Sequence, residues 1–274
     1  MFQETLPETL IVSGCRLAMG RCGAGRPLIY LHGCDGVSLD DPFIAPLAAH
    51  FEVTALSLPG FGDSDLPAGV RDVAEVARIV ARAMTALGVH DAVLVGSSLG
   101  GWVAAETCLL DGAPVGRLVL AAPMGARFTK RPDEVEITDV FTIPTNDTPG
   151  WFIADPQAAD AAFSGMRFAD MADDAAVRFC RNREALTLFG WAPLLHDTTL
   201  ARRLAEIRVA TLVIGGGKDR ILAPGYARAF AERIPHAEYV EIAAAGHYLA
   251  FEAPRVFAER IAAFADAAAT ADAA

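Results

Sequence analysis

Between Ala92 and Leu110 the sequence passes from an apolar run, Ala92 to Val95, through Gly96-Ser97-Ser98-Leu99-Gly100-Gly101 and straight into a helical pattern. A turn this short joins strand to helix only if the residues flanking its apex are small, and Gly96 and Gly100 meet that need. The G-x-S-x-G spacing lifts the Ser98 hydroxyl clear of the strand end. It also sets the hydroxyl at a helix N-terminus, where backbone dipoles favour developing negative charge. The pattern describes a nucleophilic serine. Ser97 precedes the apex and is expected to be a buried hydroxyl bonded locally.

The rest of the chain supplies the frame such a turn needs. Thr9 to Ser13 and Arg16 to Arg21 flank Gly14 as an opening antiparallel pair. Leu28 to Leu31 reads as a buried parallel strand that stops at His32-Gly33, and Phe51 to Leu58 repeats the pattern before Pro59-Gly60. Val73, Val76, Ala77, Val80, Ala83 and Leu87 recur at helical spacing behind a cap pair, Asp72 and Glu75, with Gly88 as the stop. After the serine helix comes the strand Leu118 to Ala122. Strands alternating with amphipathic helices indicate a mostly parallel sheet covered on both faces.

That alternation breaks between about Gly125 and Leu204, where Pro132, Pro144, Pro149, Pro156 and Pro193 interrupt short helical patches such as Ala175 to Leu188. The organisation expected is a core of residues 1–124 and 205–274 with residues 125–204 inserted as a helical cap. Thr211 to Ile214, Tyr226 to Arg233, Glu238 to Ile242 and a helix from Pro254 then resume the alternation. The Ala-rich tail from Ala267 carries no core pattern and is expected to fray.

With 274 residues and 53% hydrophobic content, the chain can bury one sizeable core. Its 23 Lys and Arg against 34 Asp and Glu give a net charge of -11, which provides no attraction for nucleic acid or an anionic membrane surface. A small-molecule partner is expected, and a homo-oligomer is left open. No basic leader with an apolar run follows Met1, and no apolar stretch approaches the roughly 18 residues of a spanning helix, so a cytoplasmic location is expected. The scattered Cys15, Cys22, Cys34, Cys108 and Cys180 have neither disulfide nor metal spacing and read as reduced thiols.

A serine hydroxyl needs a base to take its proton, and His247 follows the last strand through Ala243-Ala244-Ala245-Gly246. The other histidines considered, His50, His90, His196 and His236, read as surface or packing groups. The carboxylate that orients the base should lie between serine and histidine in the chain. Asp219 does so, behind the strand Thr211 to Ile214 and a glycine turn. Oxyanion donors are expected from the backbone N–H groups of Leu99 and of Cys34 in the His32-Gly33-Cys34-Asp35-Gly36 loop.

With these residues in place the chain resembles the α/β-hydrolase superfamily from about Leu28 to Phe264. His32-Gly33 is similar to its oxyanion-loop motif and Pro59-Gly60-Phe61-Gly62-Asp63-Ser64 to its P-G-x-G-x-S turn. Gly96 to Gly100 resembles its elbow, and Gly246-His247 with Glu252 and Pro254 resembles its G-H-x-x-x-x-E-x-P ending. The resemblance implies an eight-stranded, mostly parallel sheet with a helical cap, and neither metal nor redox cofactor. Serine rather than aspartate at the elbow argues against dehalogenase and epoxide hydrolase chemistry.

Phe128, Phe141, Phe152, Phe163, Phe168, Phe179 and Phe189, with Trp151 and Trp191, lie in the inserted segment and point to an apolar pocket. Candidate substrate contacts are Gly33, Asp35, Trp151, Phe152, Phe189, Trp191 and Tyr248. The expected function is hydrolysis of a small or medium, largely apolar carboxylic ester through an acyl-enzyme. Lactone cleavage and hydrolysis of the C–C bond in aromatic meta-cleavage products are the rival enzymatic readings. For the latter the resemblance implies a cap arginine, such as Arg181 or Arg183, and a tryptophan where this chain has Tyr248. A non-catalytic ligand-binding protein on the same fold is the rival of another class.

Overall fold

A computed structural model of the chain describes residues 6–131, 133–155 and 171–272. Eight strands build one sheet: β1 (Glu8–Val12), β2 (Cys15–Gly23), β3 (Arg26–Leu31), β4 (Phe51–Leu56), β5 (Ala92–Ser97), β6 (Val115–Ala121), β7 (Ala210–Gly216) and β8 (Glu238–Ile242). Their spatial order is β1-β2-β4-β3-β5-β6-β7-β8. The first two pairings in that order are antiparallel and the other five parallel. The expected mostly parallel eight-stranded sheet is what the chain forms.

The central strands are apolar because both of their faces are covered. Leu28 to Leu31 and Ala92 to Val95 are all buried. Helix α1 (Ile44–Ala48) precedes β4, and α2 (Val73–Ala86) follows it with Asp72 as N-cap, its carboxylate accepting from Glu75 N at 2.8 Å. Helix α3 (Leu99–Cys108) starts directly behind β5 and is buried from Leu99 to Thr107, so it packs against protein on every side. An all-round apolar helix of this kind belongs in the middle of a large fold.

Between β6 and β7 lie α4 (Thr148–Phe152), α5 (Asp173–Gly190) and α6 (Leu200–Arg203). α5 is longer than the patch read from Ala175 to Leu188, and Phe163 and Phe168 lie outside the described residues. The chain closes with α7 (Tyr226–Arg233), α8 (Leu249–Glu252) and α9 (Pro254–Asp272). α9 corrects the frayed-tail reading up to Asp272. Alanine sustains a helix without needing a core pattern, because it loses no side-chain entropy there.

An ion pair buried at its Glu106 end and part-exposed at Arg203 fastens α6 to α3. Arg203 Nη1 and Nη2 donate to the two oxygens of Glu106 at 2.7 and 2.6 Å, and Glu106 is 4% exposed. Removing one partner of such a pair leaves an uncompensated charge. Arg203→Met is expected to lower unfolding free energy by about 3 kcal/mol. Urea denaturation checks this, and a loss near zero would show that Glu106 finds relief elsewhere.

Candidate active site

The turn behind β5 is as tight as its sequence demands. A Cβ on Gly96 would stand 2.2 Å from the Gly100 carbonyl oxygen, and one on Gly100 would stand 2.2 Å from that of Leu31. Only glycine fits at either place. Ser98, at the apex, holds φ 55° and ψ −115°, outside the ordinary regions for a residue with a side chain. Its N–H donates to Ala121 O at 2.9 Å, while its own carbonyl accepts from Gly101 N, Trp102 N and Met124 N. Neighbouring β6 and the first turn of α3 thus pin both sides of the strained residue.

Three turns at the same end of the sheet bring the chemical groups together. His247 Nε2 stands 2.9 Å from Ser98 Oγ, and His247 Nδ1 stands 2.9 Å from Asp219 Oδ2. The second oxygen of Asp219 accepts from Ile221 N at 2.8 Å and Leu222 N at 2.9 Å, so the carboxylate cannot swing away. Asp219 leaves β7 through a turn held to the histidine loop by Lys218 N donating to Ala245 O at 2.9 Å. Ser98 and His247 are both buried. A buried imidazole bonded on both sides can pass a proton from the hydroxyl while its other nitrogen keeps a fixed partner.

Glu252 holds that imidazole's backbone. Its Oε2 accepts from Gly246 N at 2.6 Å and its Oε1 from Ala154 N at 2.8 Å, while Tyr248 N donates to Phe152 O at 3.0 Å. The histidine loop is therefore stitched on both sides to the chain just after α4. Phe152 adds an edge contact to the His247 ring, with centroids 5.4 Å apart.

The loop after β3 faces the serine. A Cβ on Gly33 would lie 3.2 Å from Ser98 Cβ. His32 anchors this loop: its Nε2 accepts from Leu58 N at 2.9 Å, which leaves the proton on Nδ1 to donate to Gly33 O at 2.6 Å. Cys34 and Leu99 are buried beside Ser98. Burial pushes the Cys34 thiol up to about 12, with Asp35 adding to it and Arg183 and Ser98 offsetting part. That keeps it a neutral thiol. Asn182 of α5 ties the loop to its neighbour, donating to Asp35 O at 2.9 Å and accepting from Gly62 N at 2.8 Å.

A cavity of about 450 Å³ opens over the serine and the histidine, with Tyr30, Gly33, Asp35, Tyr248, Leu249 and Phe251 among its walls. Of the candidate substrate contacts it gathers Gly33, Asp35 and Tyr248, and Phe152 stands behind, against His247 and Tyr248. The remaining three are elsewhere. Phe189 is buried in a stack on Phe61, Trp151 is 39% exposed, and Trp191 is 60% exposed with its ring against Phe141.

Arg181 donates to Ser64 O at 2.7 Å, and Arg183 lies over the Phe179 ring at 5.5 Å. His196 Nδ1 contacts Leu194 O at 2.8 Å. Ser97, only part-buried at the end of β5, accepts on Oγ from Tyr30 of the neighbouring β3 at 3.0 Å, which corrects the expected local bond: the turn carries its hydroxyl towards the adjacent strand. Among the described residues no cluster of His, Cys, Asp and Glu is arranged to hold a metal ion, and no helix is long and apolar enough to cross a membrane.

The roles of Glu252 and Asn182 escape sequence reasoning. Glu252 was visible only as part of a motif, and Asn182 sat among helix polar residues with no signal at all. Asn182 acts only on backbone groups distant in sequence, and Glu252 joins the nearby Gly246 N to the distant Ala154 N.

Burial depresses the His32 imidazole to about 4, with only the Gly33 carbonyl pulling the other way. The folded state thus keeps it neutral at pH values where the unfolded chain, near the usual 6.5, already takes a proton. Its contribution to stability is complete above pH 6.5 and is lost as pH falls toward 4, by up to about 1.4 kcal/mol per pH unit. Guanidinium melts of wild type and His32→Gln at pH 7 and pH 5 check this. Wild type should lose more stability than the variant, and equal losses would refute the assignment.

Comparison with known proteins places this geometry. Residues 28–260 match the alpha/beta hydrolase family. The chain is 28% identical to the AB hydrolase superfamily protein YisY of Bacillus subtilis over 244 residues, 84% of this chain and 88% of that protein. It is 30% identical over 248 residues to a pimeloyl-acyl-carrier-protein methyl ester esterase of Xanthomonas campestris, covering 82% and 89%. Among solved structures, the meta-cleavage product hydrolase of Pseudomonas fluorescens IP01 superposes with TM-score 0.79 at 21% identity, over 96% of this chain and 98% of that one.

Proposed function

The chain belongs to the alpha/beta hydrolase family, and from that premise we propose that it is a serine hydrolase of small or medium, largely apolar carboxylic esters. The observation that carries this reading is the pair of 2.9 Å contacts joining Asp219, His247 and Ser98. A relay with both links at hydrogen-bond distance is ready to work without rearrangement.

Ser98 Oγ attacks the ester carbonyl while His247 Nε2 takes its proton, and Asp219 holds Nδ1–H and steadies the imidazolium. The carbonyl oxygen, now an anion, is held by the N–H groups of Leu99 and Cys34. Collapse expels the alcohol, which receives the proton from His247. A water then enters, loses its proton to His247 and attacks the acyl-enzyme, releasing the acid and restoring Ser98. A lactone is a cyclic ester and follows the same steps.

The esterase name of the Xanthomonas relative supports this choice over carbon–carbon cleavage. So does the use of Arg181 on the Ser64 carbonyl, which diverts one of the two arginines that the rival chemistry would aim at a substrate carboxylate. Tyr248 rather than tryptophan beside His247 points the same way.

Ser98→Ala is expected to lower turnover of p-nitrophenyl butanoate by about 10,000-fold or more, with the fold intact by circular dichroism. A fluorophosphonate probe should label the wild type and not the variant. An unchanged rate in Ser98→Ala would end this reading, and a wild type that neither turns over esters nor takes the probe would favour a non-catalytic binding protein.

A further inference from the structure

Asp35 stands in the wall of the cavity that holds Ser98 and His247, and it borders a second cavity of about 410 Å³ that shares Gly36 with the first. Its backbone is fixed, since its carbonyl accepts from Asn182 Nδ2 at 2.9 Å. Its carboxylate accepts no hydrogen bond from the described residues; the charges that act on it, Arg183 and His247, do so through space. Nearby walls are largely apolar, including Leu249, Ala250 and Phe251.

A carboxylate half withdrawn from water without a protein donor is expensive to keep. A substrate entering this cavity displaces solvent from it and must either replace the lost hydrogen bond or forgo it. Burial lifts the Asp35 carboxyl to about 6, with Arg183 and His247 pulling it back, so above neutral pH the group is ionised and only accepts.

We propose that Asp35 is a specificity-determining residue that accepts a hydrogen bond from a hydroxyl on the substrate and turns away substrates carrying a carboxylate at the same place. The inference rests on the ester hydrolase reading and names a substrate class for it: neutral, hydroxyl-bearing esters. A substrate ammonium is a poorer partner, because Arg183 is already near and His247 becomes cationic during each acyl transfer. A carboxylate gains from Arg183 but meets an acceptor that has no proton to offer. The guanidinium stands over the Phe179 ring, 5.5 Å from its centroid.

Two matched ester series at pH 8 test this, one varying the acyl chain and one the alcohol, each ending in methyl, hydroxyl or carboxylate. They are measured on wild type, Asp35→Asn and Asp35→Ser, with circular dichroism as a check on folding. In at least one series wild-type kcat/KM should favour hydroxyl over carboxylate by about 100-fold, and both variants should shrink that ratio about tenfold or more. Calorimetric binding of the matching amides to Ser98→Ala reads the same preference without turnover. A failure of ester hydrolysis is thereby told apart from a failure of the Asp35 role. If neither Asp35 variant folds, the wild-type preference decides. A ratio that stays put in both variants, an equal fall for all three termini, or a wild-type preference for carboxylate overturns the proposal.

Discussion

Ser98 occupies a backbone conformation, φ 55° and ψ −115°, of the kind that costs about 1–3 kcal/mol and persists only where the surroundings over-determine it. Here they do so from three directions. β6 takes its N–H, Gly101, Trp102 and Met124 donate to its carbonyl, and the glycines at 96 and 100 let strand and helix backbones meet at distances no Cβ would survive. Relaxing that apex would withdraw the hydroxyl into the sheet. The strain is thus tied to presenting one oxygen atom to the cavity, and α3, buried from Leu99 to Thr107, and the central strands are the rigid support against which it is held.

From that fixed oxygen the rest of the site follows by adjacency in the sheet. β5 ends at the serine, β7 at the turn that leads to Asp219, and β8 at the loop that leads to His247, all parallel and all ending on one side. β3 lies on the other flank of β5 and delivers Gly33 against the serine. Residues separated by up to 149 positions meet at 2.9 Å because parallel strands deliver their ends to one edge, where loops face one another. Asp219 and His247 come from consecutive turns beyond β7 and β8, which are neighbours, and the bond from Lys218 N to Ala245 O locks those turns together.

This explains why some parts of the site could be read from the sequence and others could not. Ser98, His247 and Asp219 each terminate a strand signal, so a local pattern announces them, and the apolar runs of β3, β5 and β7 announce the sheet. Aromatic composition announced an apolar pocket but not which rings would line it. Phe189 is spent in stacking on Phe61, whereas Trp151 and Trp191 face outward, so none of the three rings lines the cavity. Glu252 and Asn182 serve backbone donors and acceptors that chain folding alone brings near. A carboxylate or amide bound to a distant N–H leaves no periodicity behind.

The chain between β6 and β7 therefore acts on the site less through its aromatics than through polar ties to main chain. Glu252 bridges Gly246 and Ala154, Phe152 O receives Tyr248 N, and Asn182 joins Asp35 O to Gly62 N. The first two ties hold the loop of His247, and the third holds the loop that carries Gly33, Cys34 and Asp35. Each is short and directional, so a displacement of α4 or α5 would be felt at His247 or at the loop after β3 rather than absorbed by soft apolar contacts. Hydrogen bonds to backbone thus set where the side chains around Ser98 stand.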